Sequence, residues 1–251
     1  MKHIHLDTVD STNTYVKELL RHDTSYAAAP FYVTADCQTA GRGRTGHTFS
    51  SLRGNGVYLT LCMPLQMEFS DAVFATIAAG ASLCGCLREF YPENENDLKI
   101  KWVNDIYLGE KKLCGILTEA FSFEPGSGIQ CAIVGMGVNL GTDVSILPGE
   151  LKEKAAGLPM PPVSKENLYA VMANHVYEGI CLSFSGNKGR DRILSQYREM
   201  SMLTGRTVYF TENDKSISGR VSGIGDGGEL ILETAEGMRR LIAGEISLTK
   251  F

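Results

Sequence analysis

The chain has 251 residues, a net charge of −5 and a pI of about 5.6, with 43% hydrophobic and 21% charged residues. This balance is ordinary for a soluble globular enzyme and argues against a general nucleic-acid binder, which would present a strongly basic face. The sequence has neither an apolar run of the ~20 residues that a membrane span needs nor a signal-peptide core, so we expect a cytoplasmic protein without a membrane partner.

The first part of the chain predicts alternating strands and helices. Alternating apolar residues predict strands over residues 4–9, 31–35 and 56–63, with Pro64 ending the third. Residues 10–13 (Asp-Ser-Thr-Asn) are typical helix caps, and the apolar positions that follow have helical spacing. Ser70 and Asp71 are expected to cap a long helix that ends near Tyr91.

The middle of the chain predicts strands first and helices afterwards. The strands are expected over residues 98–102, 106–108, 112–121 and 129–134, with a hairpin turn at Gly109 and Glu110. Residues 141–162 contain four prolines and are expected to be rich in loop. Helices are expected over residues 165–184, capped by Ser164, and 190–200.

The composition changes after about Leu203. Residues 207–251 show short alternating segments divided by turns at 212–214, 225–228 and 235–237, and no helical pattern. About 45 residues of strand and turn favour a small barrel. We therefore predict an α+β fold with a largely antiparallel mixed sheet and helices over residues 1–203, and a small β-barrel domain over residues 204–251.

Residues 40–46 (Ala-Gly-Arg-Gly-Arg-Thr-Gly) alternate glycine with arginine. Glycine lets the backbone approach a ligand, and arginine offers a charged fork that fits phosphate or carboxylate. The segment therefore favours a loop that closes over an anion, with an exposed flexible loop as the alternative. It is not a P-loop, because His47 stands where the lysine is required. Residues 135–140 likewise begin as a dinucleotide fingerprint but end in Leu140.

Four segments occur in a defined order: residues 10–13, residues 40–46, Lys-Trp-Val-Asn-Asp at 101–105 with Lys-Leu-Cys-Gly-Ile-Leu at 112–117, and Val-Gly-Met-Gly-Val-Asn at 134–139. Together they resemble the biotin protein ligases, which couple biotin to AMP and then to a lysine of an acceptor protein. The resemblance runs from about Leu6 to the C-terminus. It implies ATP, Mg²⁺ and biotin as cofactors and substrate, a biotin carboxyl carrier protein as partner, and a C-terminal barrel of the Src-homology type.

The resemblance also implies catalytic roles. Biotin's carboxylate must attack the α-phosphorus of ATP, so two anions meet and the site needs fixed cations. Arg44 and Lys112 are the expected cations, and Asp105 is the expected organiser of Mg²⁺ on the triphosphate. The alternatives are a solvated hairpin lysine at 112, as expected for Lys111, and a plain turn at Asn104 and Asp105.

Ligand contacts follow by the same resemblance. Biotin contacts are expected at Ser11, Thr12, Asn13, Gln38, Gly41, Arg42, Gly43, Arg44, Lys112 and Gly115. Adenylate contacts are expected at Arg42, Arg44, Phe49, Asn104, Lys112 and Asn139. Residues 11–13 also have a plain interpretation as helix caps, and both roles are compatible. Phe49 departs from the tryptophan that several relatives have, keeping an aromatic face but losing the indole N–H.

Other interpretations remain open at this point. A lipoate or octanoate ligase or transferase of the same superfamily is the enzyme alternative, and a non-catalytic biotin-binding module is the other. Because the first strand begins by Ile4, the helix-turn-helix of some relatives has no room, and no DNA partner is expected. Relatives without that domain occur as monomers and as dimers, so a homodimer remains open.

Overall fold

The computed structural model describes residues 1–67, 71–124, 129–212, 215–242, 244 and 246–248. The larger sheet contains β1 (Lys2–Val9), β2 (Phe31–Gln38), β3 (Val57–Met67), β4 (Leu98–Lys101), β5 (Asp105–Leu108), β6 (Lys111–Phe121) and β7 (Ile129–Val138). The helices are α1 (Thr12–His22), α2 (Ala72–Phe90), α3 (Leu151–Lys154), α4 (Lys165–Ser183) and α5 (Asn187–Met200). The smaller sheet contains β8 (Thr207–Glu212), β9 (Lys215–Ile224), β10 (Leu230–Thr234) and β11 (Gly237–Leu241).

The larger sheet is mixed, with strand order β1-β2-β3-β7-β6-β5-β4. β1 and β2 pair in parallel through the connection that contains α1, and the other neighbours are antiparallel. The smaller sheet is antiparallel, with order β11-β10-β9-β8, and Tyr209 of β8 also bridges Ser247. The predicted α+β class with a small C-terminal β domain is confirmed.

The larger sheet is covered on both faces. α1 packs Val16 and Leu20 against Phe31, Val33 and Ile133 on one face. On the other face α2 is the central helix, in contact with both α4 and α5. By length and composition α2 could cross a membrane, but 67% of its apolar window is buried within the protein. Its apolar character therefore fits the central position of the helix in the core.

The smaller sheet is fastened to the first part of the chain by polar and apolar contacts. Trp102 donates its indole N–H to the carbonyl of Gly228 at 2.9 Å, and Arg198 donates to the carbonyl of Ile224 at 2.9 Å. Gly228 has a φ of 87°, and a Cβ there would lie 3.0 Å from Ile77 of α2. This close approach holds the β10 end of the sheet against α2. The domain boundary at 203/204 stays a prediction.

The prediction that Pro64 ends a strand is wrong, because β3 continues to Met67. The last pair between β2 and β3 joins Phe31 to Cys62, and beyond it β3 pairs only with β7. Proline lacks an N–H and is tolerated where a strand has an open side. The register with β7 also shifts after Pro64.

Other boundaries of helices and strands in the structure also differ from the predicted ones. Residues 141–162 are rich in loop, as predicted, but also include α3, whose four residues are too few for a visible helical period. β7 does not stop at Val134 but continues through both glycines to Val138, because β3 and β6 pair with it on both sides. The expected cap at Ser70 lies outside the described residues, and Asp71 makes no side-chain capping bond.

Two helical glycines give opposite predictions for alanine. A Cβ at Gly85 of α2 would have no heavy atom within 4 Å. Gly85→Ala should therefore raise the free energy of unfolding by about 0.5–1 kcal/mol, because alanine lowers the conformational entropy of the unfolded chain. A Cβ at Gly179 of α4 would collide with Ser82 of α2, so Gly179→Ala should lower it by about 1–3 kcal/mol. Urea unfolding measures both, and equal signs would contradict the close α2–α4 packing.

Candidate active site

Three glycines leave part of one face of the larger sheet without side chains, beside the N-terminus of α1. Gly115 of β6 pairs with Gly137 of β7, and Gly135 of β7 pairs with Leu117 of β6. Because these positions carry no side chains, a cavity of about 390 Å³ opens over the two strands, and all three glycines line it. Its size is that of an ordinary small-molecule site.

Side chains from elsewhere in the chain lie directly on the glycines. A Cβ at Gly137 would lie 2.5 Å from the Phe49 ring, and one at Gly115 would lie 3.4 Å from the same ring. A Cβ at Gly135 would collide with the side-chain amide of Asn13. A larger residue at Gly135 or Gly137 would therefore displace Asn13 or Phe49, and one at Gly115 would make tight contacts with Lys112 and Phe49.

The predicted anion loop is a small hairpin. Phe49 donates its N–H to Gly41 O at 2.9 Å, Gly43 donates to His47 O at 2.7 Å, and a 3₁₀ turn spans Arg44–Gly46. The side chain of Arg44 donates to Asn104 Oδ1 at 3.2 Å across the cavity. The loop is thus tied at its base by backbone bonds and near its tip by this arginine.

A change of register in the β5–β6 hairpin orients Lys112. Asp105 pairs with Gly115, but Tyr107 pairs with Lys112, so one extra residue lies on β6. Such bulges redirect side chains. Lys112 Nζ lies 2.8 Å from Asp105 Oδ1 within the cavity lining. Its neighbour Lys111 is exposed and absent from the lining, so the hairpin distinguishes the two lysines.

Asn104 is fixed to β6 by two hydrogen bonds. Its side chain donates to Ile116 O at 2.8 Å, and Ile116 donates its N–H to Asn104 O at 2.9 Å. Its remaining amide oxygen is therefore held toward the loop, where it accepts from Arg44.

The cavity is positively charged in a chain whose net charge is −5. Its described lining holds one carboxylate, Asp105, against five cationic side chains: Arg42, Arg44, Lys101, Lys112 and Lys154. Tyr107 also lines it, and burial, assisted by the charge of Asp105, raises the pKa of its phenol to about 12. The phenol therefore keeps its proton at neutral pH. Such a cavity suits a ligand that carries several negative charges.

The N-terminus of α1 points its polar groups into the same cavity. Ser11 occupies the N-cap position and is only 3% exposed, yet within the described chain its hydroxyl makes no capping bond. Thr12 donates its N–H to Gln38 Oε1 at 2.9 Å, and Gln38 donates to Ser51 at 2.8 Å. The amide of Gln38 is thus held in position by Thr12 and Ser51 at the edge of the cavity, and the Ser11 hydroxyl makes no capping bond there.

The structure brings almost all of the predicted site residues together. All of them line the cavity except Gly41 and Asn139. Gly41 lies at the base of the loop, against Phe49 O and Ser51. Asn139 is buried and donates to Ala156 O at 2.9 Å, which fastens the segment after α3 to the end of β7. The contacts of each residue with a ligand stay predictions.

The sequence prediction missed several lining residues. Leu117 lies two positions beyond Gly115, so strand alternation could have found it. Most of the others lie within or beside the predicted motifs, whereas four come from distant parts of the chain and carry no local signal: Leu151 and Lys154 from α3, and Gly244 and Ile246 after β11.

Among the described residues one group could hold a metal by proximity alone, namely His5, Asp7 and Asp36 on β1 and β2. Their ligand atoms lie within 4.8 Å of one another, outside the cavity lining. The guanidinium of Arg53 lies 3.5 Å from Asp36 and already compensates this carboxylate.

Comparisons with known proteins give a consistent result. A sequence model described as the Biotin/lipoate A/B protein ligase family matches residues 6–139, and one described as the Biotin protein ligase C terminal domain matches residues 204–249. The chain is 29% identical to the bifunctional ligase/repressor BirA of Bacillus subtilis over 98% of this chain and 73% of the relative. It is 27% identical to a biotin–[acetyl-CoA-carboxylase] ligase of Paracoccus denitrificans, over 96% of this chain and 98% of the relative.

Among solved structures, the fold is similar to that of a biotin protein ligase from Aquifex aeolicus in complex with biotin and ATP. The TM-score is 0.77 at 25% sequence identity, and the match covers 100% of this chain and 99% of that one.

The two serine N-caps predict different effects of alanine on stability. Ser164 accepts the N–H of Asn167 at 3.2 Å, so Ser164→Ala should lower the free energy of unfolding by about 1 kcal/mol. Ser11 makes no such bond, so Ser11→Ala should change it by less than about 0.5 kcal/mol. Urea unfolding compares them, and a Ser11 variant as destabilised as the Ser164 variant would show that Ser11 caps α1 in solution.

Proposed function

The chain belongs to the biotin/lipoate A/B protein ligase family, and from this premise we propose that it is a biotin protein ligase. It forms biotinyl-5′-AMP from biotin and ATP, and then transfers the biotinyl group to a lysine of a biotin carboxyl carrier protein. The observation that carries this proposal is the cationic cavity over the three glycines, in which Lys112 and Arg44 are each held by a fixed partner.

The first step joins two anions. A carboxylate oxygen of biotin attacks the α-phosphorus of ATP, a bond forms between them, and the bond from the α-phosphorus to the bridging oxygen breaks to release pyrophosphate. Lys112 and Arg44 neutralise the carboxylate and the phosphate oxygens as they approach. Asp105 and Asn104 hold these cations in place beforehand, so little reorganisation is needed during the reaction.

The second step consumes the mixed anhydride. The ε-amine of the acceptor lysine attacks the acyl carbon, the bond from that carbon to the phosphate oxygen breaks, and AMP leaves with the electron pair. The nitrogen loses a proton, and the product is an amide. Until the acceptor arrives, the loop from Gly41 to Phe49 covers the intermediate and limits its contact with water.

Mg²⁺ is part of the proposal as the companion of ATP. Asp105 lines the cavity, and its Oδ1 is paired with Lys112. Mg²⁺ in nucleotide sites is commonly held by one or two carboxylates together with phosphates and waters. A site with a single carboxylate beside several cations fits an Mg²⁺ ion that enters already bound to the triphosphate of ATP. When bound, Mg²⁺ supplies additional neutralisation of the phosphate charge.

Biotin is favoured over lipoate by the α1 end of the cavity. The biotin ring system carries N–H donors and a carbonyl acceptor, whereas the dithiolane of lipoate offers neither. Ser11 and Thr12 place hydroxyl groups at this end, and the C-terminal domain matches the model described for biotin protein ligases. A non-catalytic module would not need Arg44, Asp105 and Lys112 together in one cavity.

The remaining features of the proposal concern surroundings and assembly. The acceptor is a carrier protein or domain of a biotin-dependent carboxylase, as the name of the Paracoccus relative suggests. We further propose that the protein acts in the cytoplasm and that it does not bind DNA. It acts as either a monomer or a homodimer.

A labelling assay tests the function directly. The purified chain, with Mg²⁺, ATP and biotin, should add one biotinyl group to a biotin-carrier domain and release one pyrophosphate for each group added. Mass spectrometry of the carrier reports the product. Equal labelling with excess EDTA would contradict the role of Mg²⁺, and equal labelling with lipoate would contradict biotin as the substrate.

Lys112 and its neighbour provide a matched pair of variants. Lys112→Ala removes a preorganised cation and should slow pyrophosphate release by about 10²- to 10³-fold, since one such contact contributes ~2.7–4 kcal/mol to a transition state. Lys111→Ala removes an exposed side chain outside the cavity and should stay within about twofold of the unmodified rate. Pre-steady-state release of pyrophosphate measures both, and the reverse order would show that the assignment is wrong.

A further inference from the structure

The three side chains that could hold a metal come from two neighbouring strands, outside the cavity lining. His5 and Asp7 are two residues apart on β1 and so point to the same face of the sheet, and Asp36 lies on the adjacent strand β2. One imidazole nitrogen and two carboxylate oxygens are a donor set that binds Zn²⁺ and similar divalent ions. The parallel pairing of β1 and β2 therefore brings a suitable set of ligands together.

The spacing of two of these ligand atoms fits a shared ion. His5 Nε2 lies 3.6 Å from Asp36 Oδ2, which is too long for an ordinary hydrogen bond. Two ligand atoms that each lie about 2.0–2.2 Å from one tetrahedral Zn²⁺ are separated by roughly 3.3–3.6 Å. The two side chains are 43% and 27% exposed, so water can reach the space between them and complete the coordination.

The other ring nitrogen of His5 has a fixed partner. His5 Nδ1 lies 2.9 Å from Thr34 Oγ1, and His3 Nε2 lies 2.7 Å from the same oxygen, which is fully buried. Burial, assisted by the neighbouring His5, lowers the pKa of His3, so His3 is neutral at pH 7 and can accept the proton of Thr34. Thr34 then accepts the Nδ1–H of His5, and the Nε2 lone pair faces the carboxylates. Metal-ligating histidines are commonly held by such a second hydrogen bond.

The same carboxylates already attract a cation. The guanidinium of Arg53 lies 3.5 Å from Asp36 Oδ2, and it also donates to Asp7 O at 3.1 Å and to Thr8 Oγ1 at 2.8 Å. The Arg53 side chain is 56% exposed, so it can exchange the carboxylate for water at little cost. Two carboxylates face this one arginine, and the remaining negative charge favours a further cation.

From these observations we propose that His5, Asp7 and Asp36 form a binding site for a divalent transition-metal ion of the Zn²⁺ type. The site is separate from the cavity and does not depend on the proposed function. β1 lies at the edge of the larger sheet, next to β2, and the ion cross-links the two strands. Because the unfolded chain does not hold the three ligands together, binding stabilises the folded chain.

Isothermal titration with Zn²⁺, in a buffer with excess Mg²⁺, tests the site on the unmodified chain. His5→Gln removes the nitrogen ligand and should weaken Zn²⁺ binding at least about tenfold. Arg53→Met removes the competing cation and should tighten it about two- to fivefold, the scale of one exposed ion pair. Zn²⁺ should also raise the urea midpoint of the unmodified chain more than that of His5→Gln.

His175 provides a matched control. Its Nε2 lies 3.5 Å from Glu89 Oε2, nearly the separation found in the proposed site, but among the described residues this pair belongs to no group of three ligands. His175→Gln should therefore leave the Zn²⁺ affinity within about twofold. Asp7→Asn, at an exposed position, removes a charged ligand and should weaken binding as well, which keeps the test decisive if His5→Gln does not fold.

Three results would overturn the proposal. The first is an unmodified chain that binds no Zn²⁺ below about 1 mM. The second is a Zn²⁺ affinity in folded His5→Gln or Asp7→Asn equal to that of the unmodified chain. The third is weaker binding in Arg53→Met, which would show that the arginine supports the ion instead of competing with it.

Discussion

The absence of side chains at three neighbouring positions of one sheet is the constraint on which the site depends. Gly115, Gly135 and Gly137 lie on adjacent strands and leave bare backbone where other parts of the sheet carry packed residues. α1 begins beside this area and covers only Gly135, through Asn13, and the loop after β2 folds over the other two glycines through Phe49. A methyl group at any of the three would meet Phe49, Asn13 or Lys112. The cavity therefore exists because the sequence places glycine at these three positions, and the polar side chains lie around its edge.

The charge of the cavity is opposite in sign to the net charge of the chain. An acidic chain concentrates cations around one cavity and fixes the most important of them with neutral or oppositely charged partners. Arg44 is held by an amide that is itself fixed to β6, and Lys112 by a carboxylate on the neighbouring strand. Positive groups that are held in advance stabilise the meeting of two anions better than mobile ones, because the cost of ordering them is met during folding.

Much of this arrangement could be predicted from the sequence. The glycine–arginine loop indicates anion binding by its own residues, whereas the resemblance to the biotin protein ligases implied the roles of Lys112 and of residues 11–13. Residues 42–44 of the loop, Lys112 and residues 11–13 all line the cavity. The β5–β6 bulge that separates Lys112 from Lys111 could not be predicted, because a one-residue shift of register depends on both strands. The prediction for Pro64 was wrong for a similar reason. The pairing of β2 with β3 ends at Cys62, so β3 has no partner on that side at Pro64, and the length of β2 cannot be read from the residues around Pro64. The sequence predicts Asn139 as an adenylate contact, but not that its amide nitrogen donates to Ala156 O, because Ala156 is distant in sequence from the motif.

The walls of the cavity are contributed by both ends of the chain. Residues 11–13 form one side, whereas Gly244 and Ile246 line it from the region beyond β11. These two walls are far apart in the sequence, so the cavity has both of them only when the smaller sheet is docked on α2. A loss of that docking would remove Gly244 and Ile246 from the lining and leave the site on the larger sheet open to water on that side.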